Sequence, residues 1–445
     1  MKVTIKNFPF LIADILSFYV ALFLTLLIRF GSSFTREIFI FHLKPFTWSL
    51  VFLIGGFFIM GLYDLRNLSK LFKYFRLLAI SVLLYFVIAT AYFYFAPAEG
   101  ITPKTILVIL TLTFGIIDFS IREILRRYLV KSQPLVNVLL IGKGEDVAEL
   151  AKYLEENPQL GYKIGRWIKD YDIREIDEAL SQNDNKVIVI PHQLRGDKFF
   201  ADKIYEKLVH GVDIISFSEF YENVMGKVSM DELRENWFVE KIKPKDGLYS
   251  LFKRILDIAL AFFVLLVTVI LWPLIAMVIK LSSKGQAFFL KERVGLHEKK
   301  FILYKFRTMH SGKSEQTQLS ENFSEERGDT DRVFLLGKWM RKMRVDEWPQ
   351  VINVLKGELS FVGPRADFFD YYGLLKQKIS YYQIRTIIAP GLSGWAQIHN
   401  KTGNSVENAR ERLAYDIYYI KNRSFVMDLA ITLKTLKTIF TLSGA

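Results

Sequence analysis

The first third of the chain reads as four apolar runs, residues 8–28, 46–63, 77–95 and 106–117 with an extension toward 121, separated by short polar connections. Each approaches the ~20 residues a helix needs to cross a hydrocarbon core. Bases cluster at Lys2 and Lys6, at Arg66, Lys70, Lys73 and Arg76, and at Arg122, Arg126, Arg127 and Lys131, whereas the third connection carries only Glu99. The positive-inside rule then sets both ends of a four-helix bundle on the cytoplasmic side, although Arg29, Arg36 and Lys44 make the first connection more basic than an external loop ordinarily is. No small-residue cleavage site follows the first run, so it reads as a span and not as a signal peptide. Asp14 and Asp118 fall inside apolar runs, where interhelical pairing or interfacial placement is the common explanation. The same residues offer no buried charge pair or broken helix that would mark a transport path.

From residue 135 the period changes. Residues 136–141, 186–190 and 212–217 read as strands and 146–156 and 199–210 as helices, an alternation that implies a parallel sheet. Gly142 and Gly144 hint at a dinucleotide fingerprint, but Val147 takes the third glycine's place and no acidic residue clearly ends a second strand to hold a ribose. A structural or regulatory Rossmann-like module is the expectation.

A further uncharged run, 258–279, follows Lys253-Arg254-Ile255-Leu256-Asp257. It is long enough for a fifth span, yet Lys280, Lys284, Lys291 and Arg293 lie beyond it, and keeping both basic flanks in the cytoplasm is the cheaper arrangement. Trp272-Pro273 supplies a break. Residues 253–281 therefore read as a re-entrant helical hairpin with Pro273 as its structural break, a simple span being the alternative.

Composition narrows the classes. Hydrophobic residues make up 51% of 445, too many for an ordinary soluble protein of this length, and the absence of cysteine excludes disulfides, thiol nucleophiles and thiolate metal sites. The net charge of +13 sits beside apolar segments and not in one polar stripe, which favours anionic headgroups and pyrophosphates over nucleic acid.

Candidate chemistry gathers between Lys338 and Arg365. Arg341, Lys342 and Arg344 lead into the adjacent carboxylates Asp346 and Glu347; Val351, Ile352, Val354 and Leu355 follow at helical spacing, and Gly357 stops the run. Pro349 fits a first turn, which would set the dyad at a helix N-terminus. Two neighbouring carboxylates stay ionised only with bases, a metal or both nearby.

These residues, with Asp331-Arg332, Gly337-Lys338-Trp339-Met340-Arg341, Asp346-Glu347-Trp348-Pro349-Gln350, Asn353-Val354-Leu355-Lys356-Gly357 and Val362-Gly363-Pro364-Arg365, resemble the bacterial sugar transferases, the monotopic polyprenyl-phosphate phosphoglycosyl transferases. Lys305-Phe306-Arg307-Thr308-Met309 and Pro390-Gly391-Leu392-Ser393-Gly394-Trp395-Ala396-Gln397 resemble further elements of that family, while Ala366, Gln286 and Ser393 depart from its pattern.

The resemblance implies a four-helix membrane bundle (1–131), a Rossmann-like α/β domain (132–245) and an α+β phosphoglycosyl transferase domain with a re-entrant helix (246–445). It implies transfer of a sugar 1-phosphate from a UDP-sugar to undecaprenyl phosphate at the cytoplasmic face of the inner membrane, initiating a surface polysaccharide or glycoconjugate, in a homodimer in contact with membrane lipid. Asp346 would be the nucleophile and Glu347 a ligand of Mg²⁺, which prefers hard oxygens. Lys305, Arg307, Arg341 and Arg365, with Lys253 and Arg254 of the Lys-Arg-x-x-Asp element, would face phosphate. The competing readings are a non-catalytic membrane scaffold with a nucleotide-sensing middle domain, and a four-helix transporter.

Overall fold

The computed structural model describes residues 8–63, 71–95, 103–131, 135–170, 172–181, 186–194, 198–242, 247–310, 333–399 and 405–440. Lys2, Lys6, Arg66, Lys70, Asp331-Arg332 and the polar segment 311–330 lie outside the described residues. The chain divides into two compact units, Met1–Phe217 and Ser218–Ala445.

The first unit begins with four long helices, α1 (Phe8–Phe30), α2 (Arg36–Met60), α3 (Leu71–Phe95) and α4 (Pro103–Lys131). Each contains a segment long and apolar enough to cross a membrane. One cluster of Phe, Leu and Tyr side chains from all four fills the bundle, while Leu16, Trp48, Leu83 and Ile116 point outward. This inversion, apolar outside as well as inside, is what lipid requires of a helix bundle.

Inside it lies a charge cluster. Arg122 pairs with Asp14 (Nη2 to Oδ2, 2.6 Å) and with Asp118 (Nε to Oδ2, 2.9 Å), all three fully buried. Tyr63 donates to Asp14 at 2.6 Å, Arg122 donates to the Tyr74 hydroxyl at 2.6 Å, and the guanidinium lies against the rings of Phe10, Phe57 and Tyr63. The expectation that residues 1–130 hold no buried charge pair is therefore corrected. Arg122, taken from sequence as a flanking base, pins α4 to α1.

Next come β1 (Val136–Ile141), α5 (Glu145–Glu156), β2 (Tyr162–Ile168), α6 (Ile173–Ser181), β3 (Val187–Ile190), α7 (Lys198–Val209) and β4 (Asp213–Ser216). The strands form one parallel sheet in the order β2-β1-β3-β4. Sequence periodicity found β1, β3 and β4 and missed β2 and α6. β2 is an edge strand with polar Lys163 and Arg166, and its register slips between Ile164 and Arg166, so the alternation breaks at Gly165. Val147, in the place of the third glycine, is buried.

The second unit comprises α8 (Phe217–Met225), α9 (Glu235–Lys241), α10 (Gly247–Thr268), α11 (Trp272–Ser282), β5 (Phe288–Val294), β6 (Lys300–Phe306), α12 (Leu335–Lys342), α13 (Val351–Lys356), β7 (Ser360–Val362), α14 (Phe369–Lys378), β8 (Gly391–Ser393), α15 (Trp395–His399), α16 (Val406–Asn422) and α17 (Phe425–Phe440). β5 and β6 form an antiparallel hairpin, and β7 and β8 a short parallel pair. A 3-10 turn, Val269–Leu271, separates α10 from α11 just ahead of Pro273. One face of α10 buries Ala261 against Phe301, Leu303, Val351, Val354 and Leu359, while Phe262, Phe263, Leu266 and Ile270 are exposed.

Residues 218–242, on the α/β side of the sequence boundary, contribute to this second unit: Val228, Leu233 and Trp237 share a core with Tyr372, Leu375, Leu413 and Ile417. Trp237→Ala should consequently destabilise the second unit by about 3–5 kcal/mol, the cost of emptying a large aromatic site. Thermal unfolding in detergent measures it, and a chain cut at Lys243 should lose the same support.

Candidate active site

The dyad sits in a 3-10 turn, Val345–Gln350, and not in the first turn of an α-helix; α13 begins only after it. Pro349 lies inside this turn, where its fixed φ suits a 3-10 helix as well as it suits the first turn of an α-helix. The turn starts from Arg344 in the left-handed region (φ 53). With α13 only six residues long, the charge balance of the dyad comes from side chains.

Those side chains are Lys305, Arg344, Arg341 and Arg365. On β6, Phe301 and Leu303 face the core, and the same alternation aims Lys305 inward, its Nζ 2.8 Å from Glu347 Oε1. Arg344 Nη1 donates to the other oxygen, Oε2, at 3.1 Å. Arg341 is held at the end of α12 by its Nε donating to Thr308 Oγ1 at 3.1 Å. That approach depends on Gly337, where a Cβ would lie 2.3 Å from the Thr308 carbonyl oxygen.

The two carboxylates consequently differ. Burial pushes Asp346 up to about 6, helped by the Glu347 charge and opposed by Lys305, Arg341 and Arg344. For Glu347 burial also favours the neutral acid, but Lys305, Arg344 and Arg365 outweigh it and bring the group down to about 2. Both Glu347 oxygens accept from a base, whereas among the described residues none donates a hydrogen bond to the Asp346 carboxylate. Among those residues no three His, Cys, Asp or Glu side chains gather as a metal site; the dyad offers two hard oxygen donors, Glu347's already engaged.

Three bases expected at phosphate have other partners. Lys253 pairs with Asp428 at 2.8 Å; Arg254 donates to the Val354 and Leu355 carbonyls at 2.6 and 2.8 Å; and Arg307 donates to the Ser283 and Lys284 carbonyls at 2.7 and 3.0 Å. They tie α10 and α11 to the catalytic unit. Asp257 does the same, accepting from the Phe361 N–H at 3.2 Å. Ala366 is buried in the core that α10 covers.

Residues 248–442 match the profile of the family described as bacterial sugar transferase. The chain is 36% identical over 234 residues, 53% of its own length and 54% of the relative's, to the UDP-N-acetylgalactosamine-undecaprenyl-phosphate N-acetylgalactosaminephosphotransferase of Aeromonas hydrophila. It is 37% identical over 198 residues, 43% of this chain and 71% of the relative, to the UDP-glucose:undecaprenyl-phosphate glucose-1-phosphate transferase of Caulobacter vibrioides. A protein of the same printed name from Xanthomonas campestris pv. campestris is 28% identical over 348 residues, 71% of this chain and 69% of that one. The chain belongs to the bacterial sugar transferase family.

Within this sugar transferase two residues near the dyad carry roles that sequence reasoning did not assign. Arg344 was visible only as one base among three; its left-handed backbone, which turns it onto Glu347, leaves no sequence signal. Asn353 is fully buried, with Oδ1 accepting from the Tyr304 N–H at 3.1 Å and Nδ2 donating to the Ile302 carbonyl and to Glu358, both at 2.7 Å. It locks α13 to β6 beside Lys305, and a lone polar residue at a core position of the helical pattern was the available clue.

Asn353→Ala should cost about 1–3 kcal/mol per backbone group left buried and unsatisfied, here the Tyr304 N–H and the Ile302 carbonyl. Denaturant unfolding of the full chain checks it, and Asn353→Asp, which cannot donate to Ile302, should recover little.

Proposed function

We propose that the chain transfers a sugar 1-phosphate from a UDP-sugar to undecaprenyl phosphate, releasing UMP. Family membership and the substrates in its relatives' names support the reaction class; the observation that carries the mechanism is the division of the dyad, Asp346 unengaged beside a Glu347 held on both oxygens. An Asp346 carboxylate oxygen attacks the β-phosphorus of the donor, the bond from that phosphorus to the oxygen bridging to the α-phosphate breaks, and UMP leaves with the electron pair. An oxygen of the lipid phosphate then attacks the same phosphorus and returns Asp346 as carboxylate. Arg341 and Arg365 neutralise the phosphoryl oxygens, and Lys305 and Arg344 keep Glu347 ionised and oriented.

Mg²⁺ would be held by Glu347 in exchange for one of its two bases, with the donor phosphates completing the set, and would neutralise pyrophosphate charge. The long apolar helices of the bundle and the exposed apolar face of α10 support a location in the inner membrane, with the catalytic unit on the cytoplasmic side, where UDP-sugars are. The middle sheet is a Rossmann-like module outside the chemistry, and the product opens synthesis of a surface polysaccharide or glycoconjugate.

Asp346→Asn should abolish UMP release in an assay with UDP-sugars, undecaprenyl phosphate and Mg²⁺, while leaving thermal unfolding near wild type; turnover at wild-type rate would end the covalent reading. Because Asp346 must be ionised to attack, the rate should climb through about pH 6. Glu347→Gln removes the charge that helps hold the Asp346 proton, so any residual activity should show its midpoint at lower pH. Stability runs the other way: the folded state binds this proton more tightly than the unfolded chain, so the contribution from Asp346 declines as pH rises from the ordinary aspartate range to about 6.

The chain has no cysteine, so single cysteines at Ser250 and Ser311 report topology without background. Both should resist an impermeant thiol reagent in intact cells and react once the inner membrane is opened. Labelling of Ser311 alone in intact cells would establish a fifth span in place of the re-entrant hairpin.

A further inference from the structure

Arg293, at the end of β5, is a buried charge that the mechanism above does not use. It is 7% exposed and its guanidinium carbon lies 3.4 Å from the centroid of the Phe368 ring. Nη1 donates to the Ala366 carbonyl at 3.0 Å, and the buried Nε has no hydrogen-bond partner. Among the described residues no carboxylate reaches ion-pair distance from it. Asp367, next in the chain to Ala366, is committed to Arg385 and to the Tyr382 hydroxyl. A buried cation is ordinarily paired, and leaving one unpaired costs free energy.

The charges acting on Arg293 identify its setting. Burial and then the neighbouring Arg365 work against its cation, while Asp367 and Glu347 favour it. A guanidinium keeps its proton in such surroundings, so the repulsion is retained and not titrated away. The backbone fixes the arrangement: Arg293 and Phe368 form an antiparallel bridge, and the Val294 N–H donates to the Asp367 carbonyl at 3.1 Å. The segment carrying Arg365 is thus stitched onto the strand carrying Arg293. Two neighbouring guanidinium groups, one of them buried with no carboxylate among the described residues at ion-pair distance, are unfavourable until an anion arrives, which is the property of a preorganised anion receptor.

We propose that Arg293 is a positioning residue whose charge, without an ion-pair partner among the described residues and set beside Arg365, makes that side of the site a preformed receptor for the phosphate groups of a diphosphate substrate. The identity of the anion rests on the transfer reading above; the receptor itself does not. The test is calorimetric titration of inorganic pyrophosphate into the full-length protein in detergent at fixed ionic strength. Arg293→Gln, which keeps a donor for the Ala366 carbonyl but not the charge, should weaken pyrophosphate about tenfold, the order expected for one unit charge several ångströms from an anion in a partly buried site. Arg293→Lys, which keeps the charge, should stay within about threefold of wild type. A residue that served only as a strut would shift the melting temperature of the free protein and leave the affinity alone.

Wild-type affinity in the Gln variant, an equal loss in the Lys variant, or no pyrophosphate binding by the wild type would each overturn the proposal. Should the Gln variant fail to fold, the Lys variant decides by itself, since a tenfold loss there shows that shape and not charge is required. Charge-dependent pyrophosphate binding together with no UMP release from any UDP-sugar would defeat the transfer reading and leave the role of Arg293 standing.

Discussion

Adjacent carboxylates in a largely buried turn repel each other, and the catalytic unit is arranged around relieving that repulsion on one of them only. Glu347 takes a base on each oxygen, Lys305 from β6 and Arg344 from the left-handed residue that opens its own turn. Asp346 receives a hydrogen bond from neither, and burial and its neighbour's charge outweigh the opposing charges of Lys305, Arg341 and Arg344. The bases draw Glu347 below the ordinary carboxylate range while burial and its neighbour push Asp346 above it, a separation that follows from where the donors sit and not from the two side chains themselves. The supporting parts follow from the same need: Asn353 fixes β6 against α13 so that Lys305 arrives, and Gly337 admits the Thr308 carbonyl so that α12 can bring Arg341 near.

Much of this was legible from residue order, in proportion to how local each cause is. The long apolar runs became helices because nothing but length and composition decides them. The strands β1, β3 and β4 emerged because they are short and apolar, while β2 escaped because an edge strand with a bulge keeps no clean period. The dyad and its bases were visible as a motif, but its 3-10 geometry was not, since Pro349 serves a 3-10 turn as well as an α-helix. Residues 218–242 look like the tail of the α/β domain until their apolar side chains are seen buried against α14 and α16, a contact that sequence distance conceals.

Arg122 shows the same limit within the bundle. A base near the end of an apolar run satisfies the positive-inside rule and snorkels just as well as it forms a buried pair. Its i,i+4 relation to Asp118 was present in the sequence; what decides between the readings is Asp14, on another helix, together with Tyr63 and Tyr74, which add hydrogen bonds to Asp14 and Arg122. A charge cluster walled by Phe10, Phe57 and Tyr63 fixes the rotation of α1 against α4, which apolar packing alone specifies weakly in lipid.

The Lys-Arg-x-x-Asp element joins α10 to the elements around the dyad. Lys253 holds Asp428 on α17, Arg254 closes the carbonyl end of α13, and Asp257 accepts from the backbone of β7. Lys253, Arg254 and Asp257 near the start of α10 are thus spent on elements that build the site, while Phe262, Phe263 and Leu266 farther along it are left exposed. A helix fastened to the catalytic core on one side and needing an apolar cover on the other couples the depth of that core to whatever covers the helix. Such coupling sets the dyad at a fixed depth relative to that cover.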